Sequence, residues 1–158
     1  MDPAQSKALR TLLESQEVAS LGTLHNGEPF VSMVPYALVP GGRGFVIHVS
    51  SLAAHTKDML SNPAVSLLVV APPQPGVLAQ ALARVTVQGE ARRCAHGHPD
   101  HAHARHAYLS RFPQSAEMFG FSDFSLFIIA PRSARFIGGF AQATSMTADT
   151  LAGIMSGG

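Results

Sequence analysis

The 158 residues are 46% apolar and only 13% Asp, Glu, Lys and Arg, which excludes a charge-solvated disordered chain and describes one domain with a sizeable core. Eleven Lys and Arg against ten Asp and Glu give a net charge of +1 without a basic run, so nucleic acid is not an expected partner. Cys94 is the single cysteine, which excludes an internal disulfide and a cysteine-rich zinc site. The amino end lacks the pattern of an export signal, and a reducing cytoplasm is the expected compartment.

In chain order, Asp2 before Pro3 makes an N-cap, and Leu9, Leu12 and Leu13 share one face of a helix within residues 1–17. Two β-type runs, VASLGTL and PFVSMVPYAL, flank His25-Asn26-Gly27-Glu28 and read as a hairpin with an Asn-Gly turn. A second turn, PGGRG, leads to FVIHVS, expected to return beside the second strand as a three-strand meander. SSLAAHTKDMLSNP predicts a short helix with Leu52, Met59 and Leu60 as its buried residues and Asn62-Pro63 as its stop.

AVSLLVVA, at 64–71, is far short of the ~20 residues of a membrane helix and predicts a buried strand. In LARVTVQGEARR, Val85 and Val87 alternate with polar residues, a period of two that predicts a strand with one wet or ligand-lined face. HGHPDHAHARHAYLSRF and the Pro113–Gly120 stretch predict two helices, and residues 123–130 and 133–140 predict two further strands. Residues 147–158 read as a flexible tail. The sum is a mainly β protein with peripheral helices, a six- to seven-stranded antiparallel sheet that closes into a barrel to remove its edges.

Ser50-Ser51 followed by His55-Thr56-Lys57 places hydroxyls, an imidazole and an ammonium where a strand runs into a helix. Free N–H groups and the positive end of the helix dipole favour a phosphate there, while Ser before a helix also serves as a simple cap. The histidines His96, His98, His101, His103 and His106 surround Asp100, and spacings of three permit chelation. They lack a His-Glu-x-x-His pattern and lie on different helix faces, so no metal site is assigned. Cys94 reads as an inert or exposed thiol, His25 as a solvated turn residue and His48 as a hydrogen-bonded structural residue.

The order of PFVSMVPYAL, HVSSLAAHTKDMLSNPAVSLLV, ARVTVQGEA and DFSLFIIAPRSARFIGGFAQA resembles the pyridoxamine 5'-phosphate oxidase-like FMN-binding split-barrel superfamily, in its haem-utilisation-related branch. The resemblance runs from about Leu9 to Met146, within a domain of residues 1–146. It implies a homodimer with FMN at the subunit interface and a flavin-dependent oxidoreductase acting on a small molecule. It places Ser50, Ser51, His55, Thr56 and Lys57 on the FMN phosphate and ribityl chain. Ser32, Met33, Val34 and Pro35 then run along the isoalloxazine, and Arg84 stands where the oxidases carry a Gln from the neighbouring subunit.

Thr56 stands where those oxidases carry Arg, and VSMVPYAL has no equivalents of their strand-two Arg and Lys. GGFAQA resembles the haem branch instead. The resemblance therefore carries two alternatives: a haem-binding or haem-degrading protein with an axial ligand from His55 or the His96–His106 cluster, and a non-catalytic flavin or haem carrier or sensor.

Overall fold

The computed structural model describes residues 1–139 and 142–157. Helix α1 (Pro3–Ser15) starts where Asp2 accepts the Gln5 N–H at 2.8 Å, and it buries Leu9, Leu12 and Leu13. Strands β1 (Val18–His25) and β2 (Glu28–Pro35) pair in full register from Val18–Pro35 to His25–Glu28. Their turn needs positive φ at both central residues, and Asn26 at 52° and Gly27 at 80° supply it.

The expected meander does not form. Pro35 has no N–H to extend the ladder, and the next residue, Tyr36, is fully buried, with its hydroxyl donating to the Leu13 carbonyl at 2.7 Å. The chain therefore crosses to the other side, where the two-residue β3 (Ala37–Leu38) pairs with β4 (Phe45–Ser50) and β4 pairs with a late strand rather than with β2.

Helix α2 (Ala54–Ser61) buries Thr56, Asp58 and Met59, whereas Leu52 and Leu60, expected inside, are exposed. Leu52 precedes the helix, and Leu60 lies one step round beyond the arc that rests on β1. Strand β5 (Ala64–Val70) follows, between β1 and β6 (Arg84–Cys94). Instead of being buried on both faces, β5 turns Val65, Leu67 and Val69 inward and leaves Leu68 and Val70 exposed.

Helix α3 (Pro99–Arg111) and a 3₁₀ segment (Pro113–Gly120) lead to β7 (Phe124–Ile137), which joins the two predicted late strands into one. The ladder shifts at Gln88/Gly89. A Cβ on Gly89 would lie 2.3 Å from the Ala130 oxygen, so that approach needs glycine. Phe140 and Ala141, within GGFAQA, lie outside the described residues.

The segment expected as a flexible tail instead begins at the last residue of β8 (Ala143–Thr147) and forms helix α4 (Ala148–Ser156). Thr147 caps α4, and Leu151 and Ala152 are buried by it.

The result is a curled antiparallel sheet, ordered β2-β1-β5-β6-β7-β4-β3 with β8 added to β7. Its inner face holds the main core, including Leu21, Ile47, Leu67, Val87, Phe127 and Phe136. A second, smaller core, Val46, Cys94, Tyr108, Phe112 and Leu126, lies between the opposite face and α3. Among the described residues no helix is long and apolar enough to cross a membrane.

Candidate functional site

The densest cluster of chemically capable side chains forms where α2 lies over β1 and β2. The inward alternation of β1 aims Thr23 at α2, and its Oγ1 donates to Asp58 Oδ2 at 2.8 Å. His25 Nδ1–H donates to Asp58 Oδ1 at 2.7 Å, since an ionised carboxylate only accepts. One turn of α2 before Asp58, His55 shares a 2.9 Å hydrogen bond between its Nδ1 and Ser32 Oγ on β2.

Burial pushes the Asp58 carboxyl up, but the His25 and Thr23 hydrogen bonds, with the charges of His25 and His55, outweigh it and hold it below the ordinary range. Burial lowers the His55 pKa, with Asp58 opposing in part, which favours a neutral ring. Together these groups hold a fixed, neutral imidazole at the edge of the sheet, a group able to bind a metal or a polar cofactor atom.

Of the residues assigned from the resemblance, His55 and Ser32 are brought together. Ser32 to Pro35 do not share a face, because side chains alternate along β2: Val34 enters the core while Met33 and Pro35 point outward, exposed. Ser50 Oγ donates to Asp123 Oδ2 at 3.1 Å and accepts the Leu52 N–H, and the Ser51 N–H donates to the Asp123 carbonyl at 2.6 Å. Thr56 is turned inward, 2% exposed, and its hydroxyl has no partner among the described residues. Lys57 is exposed.

Arg84 is not brought to α2 within one chain. It pairs with Val70, at the far end of β5 from the Ala64 that follows α2, roughly 20 Å away at ~3.3 Å per residue. Its guanidinium donates to the Gln80 and Leu82 carbonyls at 3.0 Å.

Sequence reasoning missed Asp58 and Thr23 and treated His25 as solvated, whereas His25 is half-exposed and tied to Asp58. The available signal was Asp58 three residues after His55 on the same short helix. Against the expected hydrogen-bonded role, His48 Nδ1 is buried without a partner among the described residues, and the ring lies flat on Phe119 at 3.8 Å. In the histidine-rich segment His98 caps α3, and among the described residues no three His, Cys, Asp or Glu side chains gather to hold a metal ion. Cys94 is buried, which raises its thiol pKa.

A curled antiparallel sheet with α2 against its edge hairpin is a split barrel. Residues 5–138 match the pyridoxamine 5'-phosphate oxidase family, and the chain belongs to it. Over 138 residues it is 36% identical to the non-canonical heme oxygenase HOZ, chloroplastic, of Arabidopsis thaliana, covering 85% of this chain and 40% of that protein. A heme binding protein from Mycobacterium smegmatis superposes with a TM-score of 0.85 at 32% identity, over 96% of this chain and 61% of that one. The chain thus spans less than two thirds of either relative. The heme storage protein HutZ of Vibrio cholerae shares the fold, with a TM-score of 0.71 at 21% identity over 79% of this chain and 88% of that one.

Proposed function

We propose that this chain is a haem-binding split-barrel protein, in which His55 supplies an axial ligand at a site completed by a second copy of the chain. The observation that carries this reading is the 2.9 Å hydrogen bond between Ser32 Oγ and His55 Nδ1. With Nδ1–H donating to Ser32, the ring is held in one tautomer and Nε2 is left for iron, the arrangement that metal-binding histidines use. Burial favours the neutral imidazole that coordination requires. Phe30, exposed, two residues before Ser32 on the same face of β2 and 5.4 Å from the His25 ring, adds apolar surface that suits a porphyrin edge. The names of the plant and mycobacterial relatives support the same ligand.

FMN suits these residues less well. The proposed phosphate seat at Ser50 and Ser51 is already engaged by Asp123, whose carboxylate would repel a phosphate, and Thr56 faces the interior. An isoalloxazine along residues 32–35 would meet side chains from only one side of the strand. The FMN oxidoreductase reading is therefore the second outcome of the same experiment.

That experiment titrates the full chain with hemin and, separately, with FMN, following the visible spectrum. A Soret band that is lost or shifted in His55→Ala, with little FMN affinity, is the expected result. A flavin spectrum with tight FMN binding and a Soret band indifferent to His55→Ala would overturn it. Loss of the bound Soret band on adding a reductant in air would distinguish haem degradation from haem carriage.

A further inference from the structure

The Thr23 hydroxyl and the His25 Nδ1–H each donate to one oxygen of Asp58, at 2.8 Å and 2.7 Å, so a nearly sealed carboxylate fixes an imidazole that is itself half-exposed. We propose that His25 recognises a haem propionate, its Nε2–H donating to that carboxylate, an inference that rests on the reading of His55 as the axial ligand.

The first observation is placement. The hairpin register sets Leu21 opposite Ser32, Thr23 opposite Phe30 and His25 opposite Glu28, and these side chains share one face of the hairpin. Helix α2 meets that same face, where Asp58 takes the bonds from Thr23 and His25 and His55 is bonded to Ser32. His25 and His55 therefore border one site, on the face opposite to the one that carries Val31 and Met33. The Phe30 ring, partly exposed, lies 5.4 Å from the His25 ring, which puts apolar surface beside a polar nitrogen. A porphyrin edge that ends in an acid group needs that pairing.

The second observation is reach. His55 and Asp58 are three residues apart on α2, a spacing of ~5–6 Å between Cβ atoms, and His25 stands on the far side of the Asp58 carboxylate. An imidazole set off from the axial ligand by a helical turn and a hydrogen bond is placed for the rim of a porphyrin rather than for its iron.

The third observation is the chemistry of the ring. Its bond to Asp58 fixes Nδ1 as a donor to the interior and leaves Nε2 as the outward nitrogen. The charge of Asp58 suits a ring protonated on both nitrogens, as the buried aspartate of a catalytic triad does. Such a ring donates one N–H to Asp58 and the other to a guest carboxylate, a charge-assisted bond. Glu28, opposite His25 in the register, is exposed and forms no ion pair with it among the described residues, so the outer nitrogen is left to the guest.

The test titrates the full chain with hemin and with hemin dimethyl ester, whose propionates carry no charge, in the same mild detergent, following the Soret band. Wild type is expected to bind hemin about ten-fold or more tightly than the ester. In His25→Asn the side-chain amide N–H takes the place of Nδ1–H and keeps Asp58 partnered, while nothing replaces Nε2. The variant is expected to lose the preference, hemin binding about ten-fold more weakly and the ester as it does to wild type. Equal binding of the two ligands by wild type, a preference that survives in His25→Asn, or an equal loss for both ligands would each overturn the proposal. Those results leave the haem reading standing wherever the Soret band still depends on His55. A Soret band indifferent to His55→Ala removes that reading, and the role of His25 with it.

Discussion

Asp58 on α2 and His25 at the end of β1 are joined at 2.7 Å, although the aspartate is nearly sealed from solvent and the imidazole is half-open. Thr23 holds the other carboxylate oxygen at 2.8 Å, so α2 is tied to the hairpin through one charged group. The carboxyl pKa is held below its ordinary 3.8, so the ionised form stabilises the fold above that value and the contribution is lost as pH falls through the lower folded value. Asp58→Asn is expected to be less stable than wild type at neutral pH, with the gap closing in acid. Urea unfolding of both proteins across the acid range checks this, and a gap independent of pH would contradict it.

Ser32 contributes nothing to the core, yet it fixes the ring of His55. Ser32→Ala should leave the melting temperature nearly unchanged and weaken hemin binding about 10- to 100-fold, the usual effect of removing the partner of a ligating histidine. Hemin affinity measured beside a thermal melt separates this from general damage. Unaltered affinity would mean that the ring is positioned by something else.

The barrel was legible in the sequence because its evidence is local: the Asn-Gly turn, the alternation of Val85 and Val87, and the Asp2-Pro3 cap each act within a few residues. What failed was long-range. The crossing at Tyr36 depends on a buried hydroxyl finding the Leu13 carbonyl, 23 positions earlier. The site was half legible. His55 is marked by its place at the start of α2 and Ser32 by the family resemblance, whereas Asp58 gains its role only when the docking of α2 on β1 brings Thr23 and His25 to it.

His48 sets a different acid response. Its pKa falls from 6.5 to about 4 on folding, so between those values the unfolded chain binds more protons and the fold loses stability as pH drops. His48→Phe keeps an aromatic ring against Phe119 and Phe124 and removes that proton uptake. The variant is expected to unfold at a lower pH than wild type in an acid titration followed by near-ultraviolet circular dichroism. Coincident transitions would show that His48 is not a determinant.

Helix α4 closes against α1 and β7, and Leu151, at 1% exposure, is its anchor in the main core. Leu151→Ala should cost about 2–5 kcal/mol, as large-to-small changes in packed cores do. A loss below ~0.5 kcal/mol in denaturant unfolding is what an exposed tail position would give.

The outer face of the edge hairpin and β5 is apolar where a solvated sheet would be polar. Val18, Val31, Met33, Leu68 and Val70 are all exposed, and the register sets Ser20 between Met33 and Leu68, and Gly22 between Val31 and Ser66. Small residues set beside large apolar ones make a surface that a second sheet can approach closely, and β2 is an open edge among the described strands. Two copies meeting here would cover the strip, and stable pairs of this kind bury roughly 1,200–2,000 Å². Met33→Lys with Val31→Lys places two charges at its centre without touching the core. The double variant is expected to remain folded but to run at half the wild-type mass by light scattering, and to lose hemin affinity if the partner completes the site at His55. An unchanged mass in the variant, or a wild-type protein that is already monomeric, would remove this face as the dimer contact.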